Sequence, residues 1–427
     1  MEKSSYKSGH FSSHKILKPI IKFTNHIQTR RHILNTLQLQ STSISPIKNS
    51  TQKSNKSLGK LQVSNISKNH LDSVEKVDRS HHVKSNRSKE KLSPIRMPVK
   101  NNMYESSRLV LCPVGNGFKK VVVGVLSKTV TGMVAGKTKK ANQDSNFIMN
   151  NFMGSANQVF LGVMDGHGLY GGQVSNYVKN ALPYHMSMLL NHDSNPSREV
   201  KTEEDFDRIK SAFIESYKQI HNEVKKKTDI DANFSGTTAI SLLIQGKYCF
   251  CSNVGDSRAV IGRYTKSGWL AIPLSCDQKP DNPEERYRIE QAGGRIAPYT
   301  GIDGNPIGPY RVWLKNDSLP GLAMSRSIGD LIAGQVGVSH IPEVIVHEFD
   351  QSDKFIIIAS DGIWEFISSE ECVQMIALGF SSGKMQNALD GLTDAAVLRW
   401  KKQDGNVDDV TAIVVSLKVK EEGGSGL

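Results

Sequence analysis

Cysteine is scarce in this 427-residue chain: five residues, Cys112, Cys249, Cys251, Cys276 and Cys372, scattered and without a Cys-x-x-Cys pair. That pattern excludes a disulfide framework and a thiolate zinc site. Cys249 and Cys251, two apart, fit one face of a strand as small hydrophobes. Long apolar runs are missing as well. No stretch approaches the roughly 20 residues of a membrane helix, and the first residues lack the apolar core of a signal peptide. Glu2 stands where myristoylation needs glycine, and the closing Gly423-Gly424-Ser425-Gly426-Leu427 is no prenylation box. A soluble intracellular protein, cytoplasmic and/or nuclear, is the expectation.

Acidic residues are nearly absent from the first hundred positions, which hold 5 Asp+Glu against 20 Lys+Arg. Their net +15 exceeds the +12 of the whole chain, so residues 101 to 427 carry −3. Residues 1–115 have few aromatics, are rich in Ser, Asn, Lys and Thr, and show no sustained period of 2 or 3.6. Such a segment buries too little apolar surface to offset the entropy of ordering, which predicts a disordered basic tail. Within it, Ile16 to Leu39 could form a basic amphipathic helix that docks on an acidic membrane or protein partner, giving peripheral membrane association; the plainer reading is a solvated tail. Nucleic acid is not expected as a partner, because the rest of the chain is net negative and the tail lacks interleaved aromatics for base stacking.

From Val121 the texture changes. Strands are predicted at Val121–Leu126, Phe147–Met149, Phe160–Met164, Thr237–Ile244, Tyr248–Asn253, Ala259–Arg263, Leu270–Leu274, Lys354–Ala359 and Val410–Val419. Helical spacing covers Gly171–Leu190, Phe206–Val224, Glu284–Ala292, Glu370–Leu378 and Gln386–Trp400. Gly301–Pro320, rich in Gly, Pro and Asn, predicts an irregular excursion. Strands, two helices, many strands, two helices and a strand do not alternate as a parallel sheet requires. The pattern predicts an α+β fold with antiparallel sheets flanked by helices. The expected organisation is a tail over 1–115, one domain over 116–420 and a short flexible C-terminus over 421–427.

Carboxylates recur at the edges of apolar runs: Asp165 after Val159–Met164, Asp361 after Lys354–Ser360, Asp256 after Val254-Gly255, Asp408-Asp409 before Val410, Asp330 after Gly329, and Asp144 before Phe147. Any one of them could be a turn or a helix cap. Gathered together they would repel unless a cation neutralised them, and an oxygen-only set suits Mg²⁺ or Mn²⁺. A hard-metal hydrolytic site is the reading that the residues alone support.

The ordered blocks Asn142-Gln143-Asp144, Asp165-Gly166-His167-Gly168, Ser235-Gly236-Thr237-Thr238-Ala239, Val254-Gly255-Asp256-Ser257-Arg258-Ala259, Leu322–Asp330, Ala359–Trp364 and Asp408-Asp409-Val410-Thr411 resemble the metal-dependent protein Ser/Thr phosphatases of the PPM family, the type 2C protein phosphatases. The resemblance spans roughly residues 120 to 418. It implies a central sandwich of two antiparallel β-sheets flanked by α-helices, a flap at about 293–320, a binuclear Mg²⁺ or Mn²⁺ centre with a weaker third ion, and phosphoprotein substrates, acted on by a monomer. Asp165 would bridge two ions, the Gly166 carbonyl would bind one, and Asp361 and Asp408 the other; Asp256 and Glu365 match the third-metal positions, and Asp144 and Gln143 an outer shell. A metal-bridging hydroxide would attack phosphorus while His167 protonates the leaving alkoxide.

This chain departs from the family pattern at three places. Lys139 stands where many members carry a phosphate-binding Arg, with Lys140 beside it as a second candidate; a lysine holds phosphate as a point charge without the bidentate fork. Gln143 replaces a Glu found in some branches, and Glu365 replaces an Asp. Asp330 and Arg326 are expected to make structural hydrogen bonds near the site, and Ser235–Thr238 to pack beneath it. Arg286 and Arg288 precede the flap, and Trp313 within it either touches substrate or packs. A pseudophosphatase, the same fold used as a binding module, is the alternative; loss of Asp165, Asp361 or Asp408 would favour it, and all three are present.

Overall fold

The computed structural model describes residues 121–139, 141–191 and 200–419. The basic segment 1–115 with its Ile16–Leu39 stretch, Cys112, Lys140 and the C-terminal 421–427 lie outside the described residues. Among the described residues no helix is long and apolar enough to cross a membrane.

The order of elements runs β1 (Val122–Val130), a small hairpin of β2 (Met133–Val134) and β3 (Lys137–Thr138), β4 (Asp144–Asn150), β5 (Gln158–His167), α1 (Gly171–Leu190) and α2 (Glu203–Lys226). Six strands and a helix follow: β6 (Gly236–Thr237), β7 (Ala239–Gln245), β8 (Tyr248–Val254), β9 (Arg258–Thr265), β10 (Gly268–Pro273), α3 (Pro283–Gln291) and β11 (Arg295–Thr300). The chain continues through β12 (Pro306–Trp313), β13 (Pro320–Leu322), β14 (Ile328–Gly329), α4 (Leu331–Gly334), β15 (Glu343–Glu348) and β16 (Asp353–Ala359). It closes with α5 (Asp361–Trp364), α6 (Ser369–Ser382), α7 (Met385–Gln403) and β17 (Val410–Leu417).

Two antiparallel sheets carry the architecture. One has the order β1-β17-β16-β9-β10; the other runs β14-β6-β5-β7-β8-β15, with β4 also on β5. Alternation along β5 shows why they stack. Val159, Leu161 and Val163 enter a central layer with Ile240 and Leu242 of β7, Ile261 of β9, Ile356 and Ile358 of β16 and Ile413 of β17. Cys249 and Cys251 share that layer, both buried and free. Phe160 and Met164 point the other way, into a layer filled by Val178, Leu182 and Met186 of α1 and Phe213, Tyr217 and Ile220 of α2. The opposite outer face, Phe355, Ile357 and Val414, is covered by Ile363, Ile376, Leu389 and Leu392 from α5, α6 and α7. The arrangement is the predicted sandwich flanked by helices.

Local departures from expectation have physical causes. The Gly301–Pro320 excursion is ordered, with β11 just before it, within a three-stranded sheet, β11-β12-β13. Pro306 lies on the stretch of β12 that pairs with β11 alone, Pro309 falls at the register break with β11, and Pro320 opens edge strand β13, so none of them blocks the ladder. Trp313 in that sheet is 5% exposed and donates its indole N–H to the Ala297 carbonyl at 2.8 Å, so it packs. β15 escaped the pattern because its alternate residues are only half-buried against α2, and α5 is too short to show a period. β5 continues through His167 instead of ending at Met164.

Phe160 sits at the centre of its layer, with ring centroids 5.0 Å from Phe147, 5.0 Å from Phe152 and 5.9 Å from Phe213. Phe160→Ala should lower stability by about 3–5 kcal/mol. Chemical denaturation would show this as a lower midpoint; an unchanged midpoint would contradict the packing described.

Candidate active site

β4 and β5 pair with Asp144 opposite Asp165. The end of β5 then pairs with β6, Gly166 opposite Thr237 and His167 opposite Gly236. Backbone groups lock this stretch. The Asp165 N–H donates to Thr238 Oγ1 at 3.0 Å, and its carbonyl accepts from Thr238 N–H at 2.9 Å and Thr237 Oγ1 at 3.0 Å. Ser235 Oγ accepts from the Tyr170 N–H at 3.0 Å. The hydroxyls of Ser235–Thr238 thus support the strand that carries Asp165.

Space demands glycine at two points. A Cβ on residue 166 would lie 2.4 Å from the Gly171 carbonyl oxygen and 2.7 Å from that of Gln143. A Cβ on residue 362 would lie 2.1 Å from the Asp409 carbonyl oxygen. The second close approach lets the segment after β16, which begins α5 with Asp361, close on the segment that enters β17 with Asp408-Asp409.

Asp144, Asp165, Asp361 and Asp408 therefore face one another from two sheets, with Asp256 beside Asp361. Burial pushes the Asp165 carboxyl well above the ordinary carboxylate range, and the charges of Asp144, Asp361 and Asp408 push it further. Asp361 is raised by burial, then by Asp256 and Asp408. Asp144 is pushed up to about 7 by burial and by Asp409. Three buried oxygens, Oδ1 of Asp144, of Asp256 and of Asp361, have no hydrogen-bond partner among the described residues. Uncompensated buried acceptors of this kind are costly.

Two lysines offset part of that charge. Lys139 Nζ lies 2.6 Å from Asp408 Oδ1 and 3.4 Å from Asp409 Oδ2, and Lys279 Nζ pairs with Asp256 Oδ2. Burial opposes the Lys279 charge, but Asp256 more than offsets it, and its pKa is raised. Asp409, which the sequence presented only as the neighbour of Asp408, proves to be a scaffold: its carboxylate accepts the Gly132 N–H at 2.7 Å and the Gln143 N–H at 2.9 Å. Gln143 spends its amide on the Gly168 carbonyl at 2.8 Å, Asp144 Oδ2 accepts from Ser360 Oγ at 2.8 Å, and Glu365 is exposed just beyond α5. Nothing in the sequence signals the Lys279–Asp256 pair, since the partners sit on loops 23 residues apart.

His167 faces a different carboxylate. Its Nε2 lies 2.6 Å from Asp330 Oδ2, and Nδ1 is buried with no hydrogen-bond partner among the described residues. Asp330 also accepts from Ser327 Oγ at 2.5 Å. Burial pulls the His167 pKa down, but the Asp330 charge more than offsets it and leaves the imidazole raised. Arg326 does not reach this pair; its guanidinium binds Glu285 and the Ile341 carbonyl.

Among the described residues no group of three or more His, Cys, Asp and Glu forms a ready metal cage. The donor chemistry nonetheless fits a hard divalent cation: oxygen donors only, three of them unpartnered and buried, in a cluster where burial and neighbouring charge raise the pKa of Asp144, Asp165 and Asp361.

The family model described as protein phosphatase 2C matches residues 129–404. The chain belongs to the protein phosphatase 2C family. It is therefore an enzyme of the protein Ser/Thr phosphatase class. A probable protein phosphatase 2C of Arabidopsis thaliana is 36% identical over 292 residues, covering 67% of this chain and 84% of that relative. A second from the same plant is 33% identical over 293 residues, covering 65% and 76%. Among solved structures, the serine-threonine phosphatase 2C of Toxoplasma gondii superposes with a TM-score of 0.60 at 20% identity, covering 74% of this chain and 98% of that one, a likeness of fold.

In a phosphatase 2C site, the raised imidazolium of His167 persists to higher pH than that of a free histidine and is lost as pH rises through its folded value. Asp330→Asn removes the charge that raises it. The alkaline limb of the activity–pH profile should move to lower pH. A profile that does not move would show that Asp330 leaves the proton on His167 untouched.

Proposed function

We propose that the chain is a Mg²⁺- or Mn²⁺-dependent phosphatase that hydrolyses phosphoserine and phosphothreonine in proteins. The observation that carries this reading is the convergence of buried, mutually repelling carboxylates from both sheets beside the His167–Asp330 pair. Asp165, the Gly166 carbonyl, Asp361 and Asp408 would hold two ions; Asp256 and Glu365 would serve a third, and Asp144 and Gln143 would order the surrounding shell. Mg²⁺ or Mn²⁺ bound there would supply hydroxide at neutral pH and offset charge on the phosphoryl oxygens.

The chain's own residues account for the remaining tasks. Asp330, as an anion, accepts the Nε2–H of His167 and fixes the ring, so the imidazolium proton available to a leaving oxygen is the one on Nδ1. That nitrogen has no hydrogen-bond partner among the described residues, so no group there competes for its proton. Lys139, on Asp408 and Asp409, is close enough to the carboxylates to add a positive charge for phosphate, as a point charge.

The test is hydrolysis of a phosphothreonine peptide by the full chain, with Mn²⁺ or with EDTA, beside Asp361→Asn. Metal-dependent phosphate release should fall at least about 100-fold in the variant, beyond the roughly 10–100-fold typical of losing an outer-shell partner. Equal release by the variant would overturn the assignment of Asp361. A wild-type chain that releases nothing with any divalent ion yet binds the peptide would instead favour the pseudophosphatase reading.

A further inference from the structure

We infer that Glu285 is a positioning residue for the His167–Asp330 pair, acting from α3 through Arg326 and the Ser325–Asp330 segment. The inference deepens the phosphatase reading and rests on its assignment of His167. Glu285 is 5% exposed and lies on the helix that leads into the β11-β12-β13 flap. Its two oxygens are fully used. Arg288 meets them in a bidentate pair at 2.7 and 2.8 Å, Arg326 approaches with Nη2 at 2.7 Å and Nε at 3.1 Å, and Ser325 Oγ donates at 2.5 Å. These donors outweigh the burial penalty and bring the Glu285 pKa down to about 2, so it stays an anion throughout the working range.

Both arginines tie Glu285 to neighbouring backbone. Arg288 donates to the Ser325 carbonyl at 2.8 Å and the Gly337 carbonyl at 2.9 Å, and Arg326 donates to the Ile341 carbonyl at 3.0 Å. Residues 325–327 and 339 then exchange backbone hydrogen bonds, Ser327 N–H to the Ser339 carbonyl at 2.9 Å and Ser339 N–H to the Ser325 carbonyl at 3.2 Å. One end of the segment is thus clamped by Glu285. The other is clamped by β14, which pairs Ile328 with Thr237 and Gly329 with Gly236, the residue that lies opposite His167 on β5.

At the second clamp and just past it the backbone turns left-handed. Gly329 has φ +96 and Asp330 φ +46, a left-handed conformation that a non-glycine residue keeps only when its surroundings over-determine it. Ser327 Oγ, in the clamped stretch, donates to the same Asp330 Oδ2 that faces His167 Nε2. The charge on Glu285 keeps two guanidiniums together; without it they repel, the 325–327 stretch relaxes, and Asp330 loses its setting against His167.

The test compares Glu285→Gln with wild type in the full chain loaded with Mn²⁺, using a phosphothreonine peptide for kcat and KM. A second readout is the His167 Nε2–H proton resonance in ¹⁵N-histidine-labelled protein, assigned by its loss in His167→Gln. The expected result is a kcat lower by about 10- to 100-fold, as for a misplaced catalytic group, with KM within about twofold and the resonance displaced from its wild-type position. A folded Glu285→Gln with wild-type kcat and an unmoved resonance would overturn the inference. Should that variant not fold, Ser325→Ala removes one hydrogen bond to Glu285 and keeps both ion pairs; a smaller displacement of the resonance supports the brace, and none overturns it. A displaced resonance in a chain whose wild type hydrolyses nothing would uphold the brace while sinking the phosphatase reading.

Discussion

Asp144, Asp165 and Asp361, half-buried at the meeting of the two sheets, lie within range of one another's charge and of the more open Asp408, and their mutual repulsion is the constraint around which this site is built. In isolation such a group would protonate or drive the chain apart, since ionised carboxylates are costly to bury without partners. Here Lys139 and Lys279 neutralise the edges at Asp408 and Asp256, while the centre, Asp165 and Asp361, remains short of positive charge. A fold that holds this arrangement needs large apolar layers elsewhere. Among the described residues it has three, one between the sheets, one under α1 and α2, and one under α5, α6 and α7.

The sandwich explains how residues far apart in sequence meet. β5 and β4 bring Asp165 and Asp144 from one sheet, whereas β16 and β17 bring Asp361 and Asp408 from the other. Glycines at 166 and 362 remove the atoms that would hold these segments apart. His167 belongs to a separate network, in which β14 and β6 carry Asp330 to its ring and Glu285 braces the segment from α3. The carboxylate cluster and the His167–Asp330 pair are thereby set by different parts of the fold, and they adjoin because Asp165 and His167 share one strand.

Much of this was legible in the amino-acid order. Apolar runs such as Lys354–Ala359 and the 3.6-residue spacing of α1 and α2 follow from burial on one or both faces, and the carboxylates stood out because each interrupted or bordered such a run. What stayed hidden depends on contacts between loops. The Lys279–Asp256 pair, the scaffold role of Asp409 and the Glu285 brace join residues with no periodic relation, and Asp330 could be placed near the site but not onto His167. The flap strands were masked by prolines and glycines that mark turns, and β15 by half-burial. Lys140 and the basic segment 1–115 lie outside the described residues.

The central claim is that the carboxylate cluster is built for divalent cations. It is tested most directly by calorimetric titration of Mn²⁺ into the chelator-treated full chain, with Asp165→Asn in parallel. The account predicts saturable binding of about two ions per chain, as a binuclear hydrolytic centre requires, and loss of that binding in the variant. Absence of saturable binding, or binding that Asp165→Asn leaves unchanged, would contradict it.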